Sequence, residues 1–291
     1  MKKDSLNKIK LIKHFVIGSA NFTQKYGTDT IKINNNEIKK ILELAKKNSI
    51  YKIDTAEGYL KDKNFFKNVD KKFKFTSKII PDSKWISLEY CQKKLEDHFK
   101  VFKNNKVETL LLHNIQILLK KNGTKIFKNL EVLKKKKYFK KIGLSIYDTK
   151  YLNFIIPKFN IDVIQCPYNV LDKRIITTGW YDKLKNQGKE IHARSIFLQG
   201  LLVNKLVYKK KYFRKWNNFF VNWFQFLENK NISPIDYCLS DLLIYDFDQI
   251  IVGINNSNNL KQIINFKTID KNKMMNFKIN DTKLIDPRKW N

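Results

Sequence analysis

Eight short apolar runs, rich in β-branched and aromatic residues, recur along this chain, and each is followed by a longer lysine-rich stretch whose apolar residues fall at helical spacing. The runs are 14–18 (HFVIG), 50–54 (IYKID), 73–77 (FKFTS), 108–112 (ETLLL), 141–145 (KIGLS), 161–165 (IDVIQ), 190–194 (EIHAR) and 249–253 (QIIVG). Between them, 37–48 (EIKKILELAKKN) sets Ile38, Ile41, Leu42 and Leu44 toward one side and lysines toward the other, the pattern of a helix covering a sheet. Strands joined by such helices run parallel and are buried on both faces. Eight βα units with no residue-level repeat and no clear linker predict closure into a (β/α)8 TIM barrel, a single domain over 1–291, rather than an open doubly wound sheet. The long interval 197–247 holds Tyr208–Tyr212, a helix expected over 215–227 and another around 235–245, and reads as an insertion after the seventh strand.

With 43% hydrophobic residues in 291 positions there is material for a large core, which excludes disordered, collagen-like and disulfide-stapled classes. The formal charge of +31 would ordinarily bring nucleic acid or an anionic membrane into view. Its make-up points elsewhere. Arginine occurs only as Arg174, Arg194, Arg214 and Arg288, so every other one of the 58 basic residues is lysine, spread from Lys2 to Lys289 and accompanied by an excess of Asn and Ile. A nucleic-acid reader needs guanidinium forks gathered on one face. The charge therefore reads as a solvated surface that helps attract anionic small molecules or a phosphorylated cofactor, and neither a specific nucleic acid nor a membrane is expected as partner. Cys91, Cys166 and Cys238 are far apart and form no CxxC or metal-ligand spacing, which argues against a disulfide frame and a metal site and for a reducing, cytoplasmic setting. The apolar stretch Phe15–Ala20 is too short for a signal peptide, and no run approaches the roughly 18 apolar residues of a membrane helix.

In a barrel of this kind the functional face lies at the C-terminal ends of the strands, so the polar residues that end the apolar runs carry the information. These are Asp54, Lys78, His113, Ser145, Gln165, Arg194 and Gly253, with Tyr59 in the loop after the second strand. Singly, each has an ordinary explanation: a helix N-cap, a solvated lysine, a structural histidine. Jointly their chemistry is complementary. A phenol titrates near about 10, a neighbouring ammonium favours its phenolate, and a carboxylate keeps a buried ammonium charged. Tyr59, Lys78 and Asp54 supply these groups, and His113 is a hydrogen-bond partner for a carbonyl oxygen. A site that passes a proton to a carbonyl oxygen and a lyase or aldolase using Lys78 as a Schiff-base nucleophile both fit this set. Trp180, Trp216, Trp223 and the phenylalanines between 219 and 226 read as packing, Cys166 as a buried small side chain, and Lys134–Lys137 as a solvated turn.

Asp54-Thr55-Ala56-Glu57-Gly58-Tyr59, Thr76-Ser77-Lys78, Leu111-Leu112-His113-Asn114, Gly143-Leu144-Ser145, Gln165-Cys166-Pro167-Tyr168-Asn169 and Gln199-Gly200-Leu201-Leu202 resemble, in order and approximate spacing, the motifs of the aldo/keto reductases. Gly18-Ser19-Ala20-Asn21-Phe22, Tyr26-Gly27 and Arg194-Ser195-Ile196-Phe197-Leu198-Gln199-Gly200 are most similar to bacterial members associated with surface-polysaccharide or nucleotide-sugar pathways. The resemblance implies an NAD(P)H-dependent hydride transfer between nicotinamide and a small-molecule carbonyl or alcohol, a sugar derivative among the candidates, without a metal; its alternative is a reductase-like cofactor-binding regulatory protein. By residue, it implies Tyr59 as general acid, Lys78 and Asp54 as its tuning pair and His113 as the carbonyl-orienting group. It places Gly18, Ser19, Ser145, Gln165, Arg194, Ser195, Gln199, Gly200, Gly253, Ser257 and Asn259 against the cofactor. Arg194 departs from the aromatic residue that many members stack on nicotinamide. The segment 253–260 lacks the basic residue that commonly grips a 2′-phosphate, so NADPH is expected first and NADH second.

Overall fold

The computed structural model describes residues 2–24, 33–59, 64–67, 69–103, 105–277, 279 and 281–290, and Tyr26 and Gly27 lie outside them. Strands β1 (Phe15–Gly18), β2 (Lys52–Asp54), β3 (Lys74–Ile79), β4 (Val107–Leu112), β5 (Lys141–Ser145), β6 (Val163–Pro167), β7 (Glu190–Arg194) and β8 (Gln249–Gly253) each fall within two residues of a run read from sequence. They pair in parallel in chain order, and β8 returns to β1 with Phe15 opposite Ile250 and Gly18 opposite Gly253. This is the closed (β/α)8 barrel that the alternation predicts. Closure leaves no sheet edge, so β-branched residues on both faces of each strand are buried; Val163, Ile164, Ile191 and Ile250 are fully enclosed.

The longer helices are α1 (Lys2–Lys13), α2 (Asn35–Lys47), α3 (Leu88–Phe99), α4 (Gly123–Lys135), α5 (Trp180–Asn186), α6 (Asn217–Asn229), α7 (Pro234–Leu242) and α8 (Ser257–Ile264). Helix α2 begins where the Asn34 side chain accepts the Glu37 N–H, and it buries Ile38, Ile41 and Ala45 while its lysines face out. Its boundaries match the sequence expectation because cap and apolar spacing are both local. Helix α1 was not legible in the same way. It is mostly lysine and polar residues, and its end toward β1 is seated by burial of Leu11, with an exposed Lys10–Asp246 ion pair near the start of β8.

Two features set the shape of the barrel mouth. Gly143 on β5 lies where a Cβ would meet the Val163 carbonyl oxygen and Leu111 Cδ2, both at 2.5 Å, so only glycine lets β4, β5 and β6 approach this closely. The interval between β7 and β8 forms α6 and α7, preceded by a 3-10 turn over Lys211–Trp216. With Leu201, Leu202, Leu284 and Ile285 their aromatic residues, Trp223, Phe220, Phe224 and Tyr237, make a second apolar cluster beside the barrel core. Trp180, Trp216 and Trp223 are all buried, as packing residues should be. The cluster also seats the C-terminal stretch: the Tyr212 hydroxyl donates to the Lys283 and Lys289 carbonyls, and the Trp290 ring meets Phe213 edge-on at 4.8 Å.

Candidate active site

A cleft of about 480 Å³ opens at the C-terminal ends of the strands and is lined by Asp54, Tyr59, Lys78 and His113 together. A larger groove of about 810 Å³, beside the start of β4 and β5, is lined mainly by lysines with Glu108 and Glu131 and gathers no comparable chemistry. The four residues come from β2, the turn after it, β3 and the end of β4, and barrel closure alone brings them to one place.

Asp54 sits opposite Thr76 on β3, two residues before Lys78, so side chains of period two point both groups to the same side. The Lys78 ammonium pairs with Asp54 Oδ1, both side chains being under a tenth exposed, and donates a second hydrogen bond to the Thr55 carbonyl at 3.2 Å. Gln165 on β6 donates from Nε2 to Asp54 Oδ2 at 2.8 Å, so both carboxylate oxygens are satisfied from different strands. Burial pushes the Lys78 ammonium below its ordinary pKa; Asp54 opposes that shift and the Arg194 charge adds to it. The ammonium is thus paired yet closer to losing its proton than a surface lysine.

His113 follows β4, and its backbone N–H donates to the Ile79 carbonyl at 2.8 Å, which fixes the residue beside the end of β3. Burial, then the positive charges of Lys78, Arg194 and Arg288, lower its imidazole to about 4. At neutral pH it is an uncharged ring offering one N–H donor and one acceptor. Tyr59 ends a short turn whose N–H donates to the Ala56 carbonyl at 2.9 Å, and its half-buried side chain lines the cleft.

Of the eleven residues that the resemblance places at a cofactor, Gly18, Ser19, Ser145, Arg194, Ser195, Gln199, Gly200, Gly253 and Asn259 line this cleft. Gln165 lies beneath it, fully buried, and Ser257 begins α8 behind the wall. Ser145 and Gln165 face each other across β5 and β6, and Ser145 Oγ and Gln165 Oε1 are buried without a partner among the described residues. A hydroxyl and an amide oxygen left free side by side suit a carboxamide, whose oxygen accepts and whose NH2 donates; the pair therefore fits the nicotinamide end of a dinucleotide. Further along, Ser195, Leu198 and Gln199 have φ of 61°, 47° and 53°, followed by Gly200 at 94°. Left-handed backbone at non-glycine residues costs about 1–2 kcal/mol each, so this loop is held by its surroundings. Asn169 is one of the holders: its Nδ2 donates to the Ser195 carbonyl at 3.1 Å while its Oδ1 accepts the Leu171 and Asp172 amides.

Several residues at the site were not legible from the strand ends. Tyr147 lines the cleft from the β5 loop, with the guanidinium carbons of Arg194 and Arg288 at 3.9 Å and 3.6 Å from its ring centre, and Gln262 lines it from α8, beside Asn255 and Asn256 of the segment 253–259 that the resemblance assigns to the adenosine phosphate end. The Glu37 carboxylate of α2 accepts the Ser257 N–H at the start of α8 and is held below its usual pKa by that bond. Trp85 does not reach the cleft; it is buried against α3 and α4, where its carbonyl accepts from Cys91 Sγ and from Asn129 Nδ2. Cys166 is buried, as a small core side chain should be, and burial drives its thiol up to about 12. Among the described residues no helix is long and apolar enough to cross a membrane.

Comparison with known proteins identifies the fold. The fold is similar to that of aldo-keto reductase AKR11C1 from Bacillus halodurans in its holo form, at 14% identity, a TM-score of 0.68 and coverage of 91% of this chain and 90% of that one. It is similar to the glycerol dehydrogenase AKR11B4 from Gluconobacter oxydans, at 13% identity, TM-score 0.65 and coverage of 89% and 88%. The aldose reductase from Schistosoma japonicum matches at 14% identity, TM-score 0.62 and coverage of 95% and 94%. No curated protein matches the sequence with significance. The model of the aldo/keto reductase family matches residues 14–281, nearly the whole barrel, and the chain therefore belongs to the aldo/keto reductase family, an NAD(P)H-dependent oxidoreductase.

Proposed function

We propose that this chain, working over 1–291 as one cytoplasmic barrel domain, reduces a carbonyl of a sugar-derived small molecule, or oxidises the corresponding hydroxyl, with Tyr59, Lys78, Asp54 and His113 as its catalytic set. The observation that carries the reading is the buried Lys78–Asp54 pair at the floor of a cleft that Tyr59 and His113 also line. The bound dinucleotide supplies or takes up the hydride. Tyr59 passes its hydroxyl proton to the carbonyl oxygen as negative charge develops there. The Lys78 ammonium favours the phenolate that results, and Asp54 keeps that ammonium charged against burial. His113, neutral at working pH, donates a hydrogen bond to the same oxygen and fixes its direction without competing as an acid. Ser145 and Gln165 would hold the carboxamide, the left-handed loop of Ser195, Gln199 and Gly200 would take the pyrophosphate, and Gly18, Ser19, Gly253 and Asn259 would complete the wall. Assignment to a polysaccharide or nucleotide-sugar pathway is supported by the sequence of 18–22 and 194–200 alone.

A second reading concerns the dinucleotide. Glu37 already occupies the first free amide of α8 with an ionised carboxylate, beside the segment that the resemblance assigns to the adenosine phosphate end. A carboxylate there repels a 2′-phosphate and accepts ribose hydroxyls, which favours NADH over the NADPH expected from sequence. Titration of the protein with each dinucleotide, followed by tryptophan quenching, and turnover of Tyr59→Phe test both readings. Binding of NADH in wild type and variant with turnover lost at least about 100-fold is expected, the usual scale of general acid catalysis. Binding of neither dinucleotide, or borohydride trapping of an aldehyde on Lys78, overturns the reductase reading.

A further inference from the structure

We propose that Arg194 and Arg288, stacked on the two faces of Tyr147 at the mouth of the cleft, form a recognition site for an anionic group on the substrate, a carboxylate or a phosphate monoester. The inference deepens the reductase reading and rests on it for the carbonyl half of that substrate.

Composition makes the arginines conspicuous. This chain uses arginine at four positions only, and two of them, Arg194 and Arg288, meet at the Tyr147 ring. Lysine serves wherever a solvated charge is enough; a planar fork is needed where a cation must stack and still present parallel donors. The geometry agrees. The guanidinium carbons of Arg288 and Arg194 lie 3.6 Å and 3.9 Å from the Tyr147 ring centre. Two guanidinium groups that near one centre would overlap on the same face, so they take opposite faces.

The tail of the chain is built to deliver Arg288. Asp286, itself buried, grips it through Nε at 2.9 Å and Nη2 at 2.6 Å, and Tyr212 ties down the carbonyls of Lys283 and Lys289 on either side. Among the described residues no acceptor meets Nη1. Arg194 is oriented by neutral acceptors, the Ile146 carbonyl at 2.8 Å and Ser195 Oγ at 3.2 Å, and no carboxylate among the described residues pairs with it. Among the described residues Asp54 is matched by Lys78, Asp286 by Arg288 and Asp172 by Arg174, and the half-buried Arg194 has no carboxylate partner. An unmatched cation in that position is costly, and an incoming anion relieves it. Arg194 lines the same cleft as His113, and both guanidinium charges act on that imidazole.

The test measures equilibrium binding of benzoate and phenyl phosphate against neutral benzamide, and reduction of 4-carboxybenzaldehyde against 4-formylbenzamide, by the full-length wild type, Arg288→Gln, Arg288→Lys and Arg194→Gln. Wild type should bind the better anion at least about tenfold more tightly than benzamide, about 1.4 kcal/mol, and show the same preference in kcat/KM. Arg288→Gln and Arg194→Gln should reduce that ratio to within about threefold, and Arg288→Lys, which keeps charge but not the fork, should fall between. A stronger response to benzoate identifies a carboxylate, and one to phenyl phosphate identifies a phosphate ester. Equal binding of anion and amide by wild type, or an undiminished ratio in both Gln variants, overturns the proposal, as does loss of dinucleotide affinity in Arg194→Gln with the anion ratio intact. An anion ratio that behaves as expected while no aldehyde is reduced with either dinucleotide sinks the reductase reading and leaves the anion site standing.

Discussion

Replacing Lys78 by Met leaves Asp54 as a buried carboxylate without its cation. The wild-type pair is under a tenth exposed on both sides, so water does not take over the lost contact. Breaking one side of a buried pair costs about 3–5 kcal/mol. Asp54 keeps the Gln165 donor on Oδ2, which puts the expected loss at the lower end, about 3 kcal/mol. For a chain of this size about 2 °C per kcal/mol applies, so melting should fall by about 6 °C. The double variant Asp54→Asn/Lys78→Met removes both charges, and the Asn side-chain oxygen still accepts from Gln165. It should be more stable than Lys78→Met alone, with a coupling of about 2 kcal/mol in the cycle. Urea titration and thermal melting by circular dichroism measure both. A single variant that loses less than about 1 kcal/mol, or a double variant that loses the sum of the singles, would refute the account of the pair as mutually dependent.

Gly143→Ala should destabilise the barrel by about 1–3 kcal/mol or more, because the added carbon meets the Val163 carbonyl, which belongs to a strand that cannot yield; melting checks this, and a neutral effect would show that β5 shifts freely. His98, buried and hydrogen-bonded to Ser77 Oγ at 2.8 Å, has its imidazole lowered by burial to about 4 against an ordinary value near 6.5. The unfolded chain takes up its proton first as pH falls, so this contribution is complete above about 6.5 and lost through pH 4, about 3 kcal/mol in all. Urea titrations at pH 7.5 and 4.5 should show that loss in wild type and a flatter dependence in His98→Gln; an unchanged dependence would assign the acid sensitivity elsewhere.

What the residues determined by themselves was whatever depends on short-range pattern. Eight apolar runs with amphipathic partners define eight strands and their covering helices, and in a closed parallel barrel the ends of all strands share one rim, so the pattern alone groups Asp54, Lys78 and His113. Tyr59 followed because its turn is tied to β2 within a few residues. The tertiary structure alone decided the contacts that no local spacing encodes. Glu37 meets Ser257 across 220 residues because α2 and α8 are neighbours only once the ring has closed. Arg288 reaches Tyr147 because the second apolar cluster seats the tail, and the tail then carries its guanidinium onto that ring. Helix α1 is anchored by a partner at Asp246, and Trp85 is drawn into the core by α3 and α4. Patterning acts through the covalent neighbourhood, whereas these contacts arise from burial and charge pairing between segments whose proximity exists only in the folded barrel.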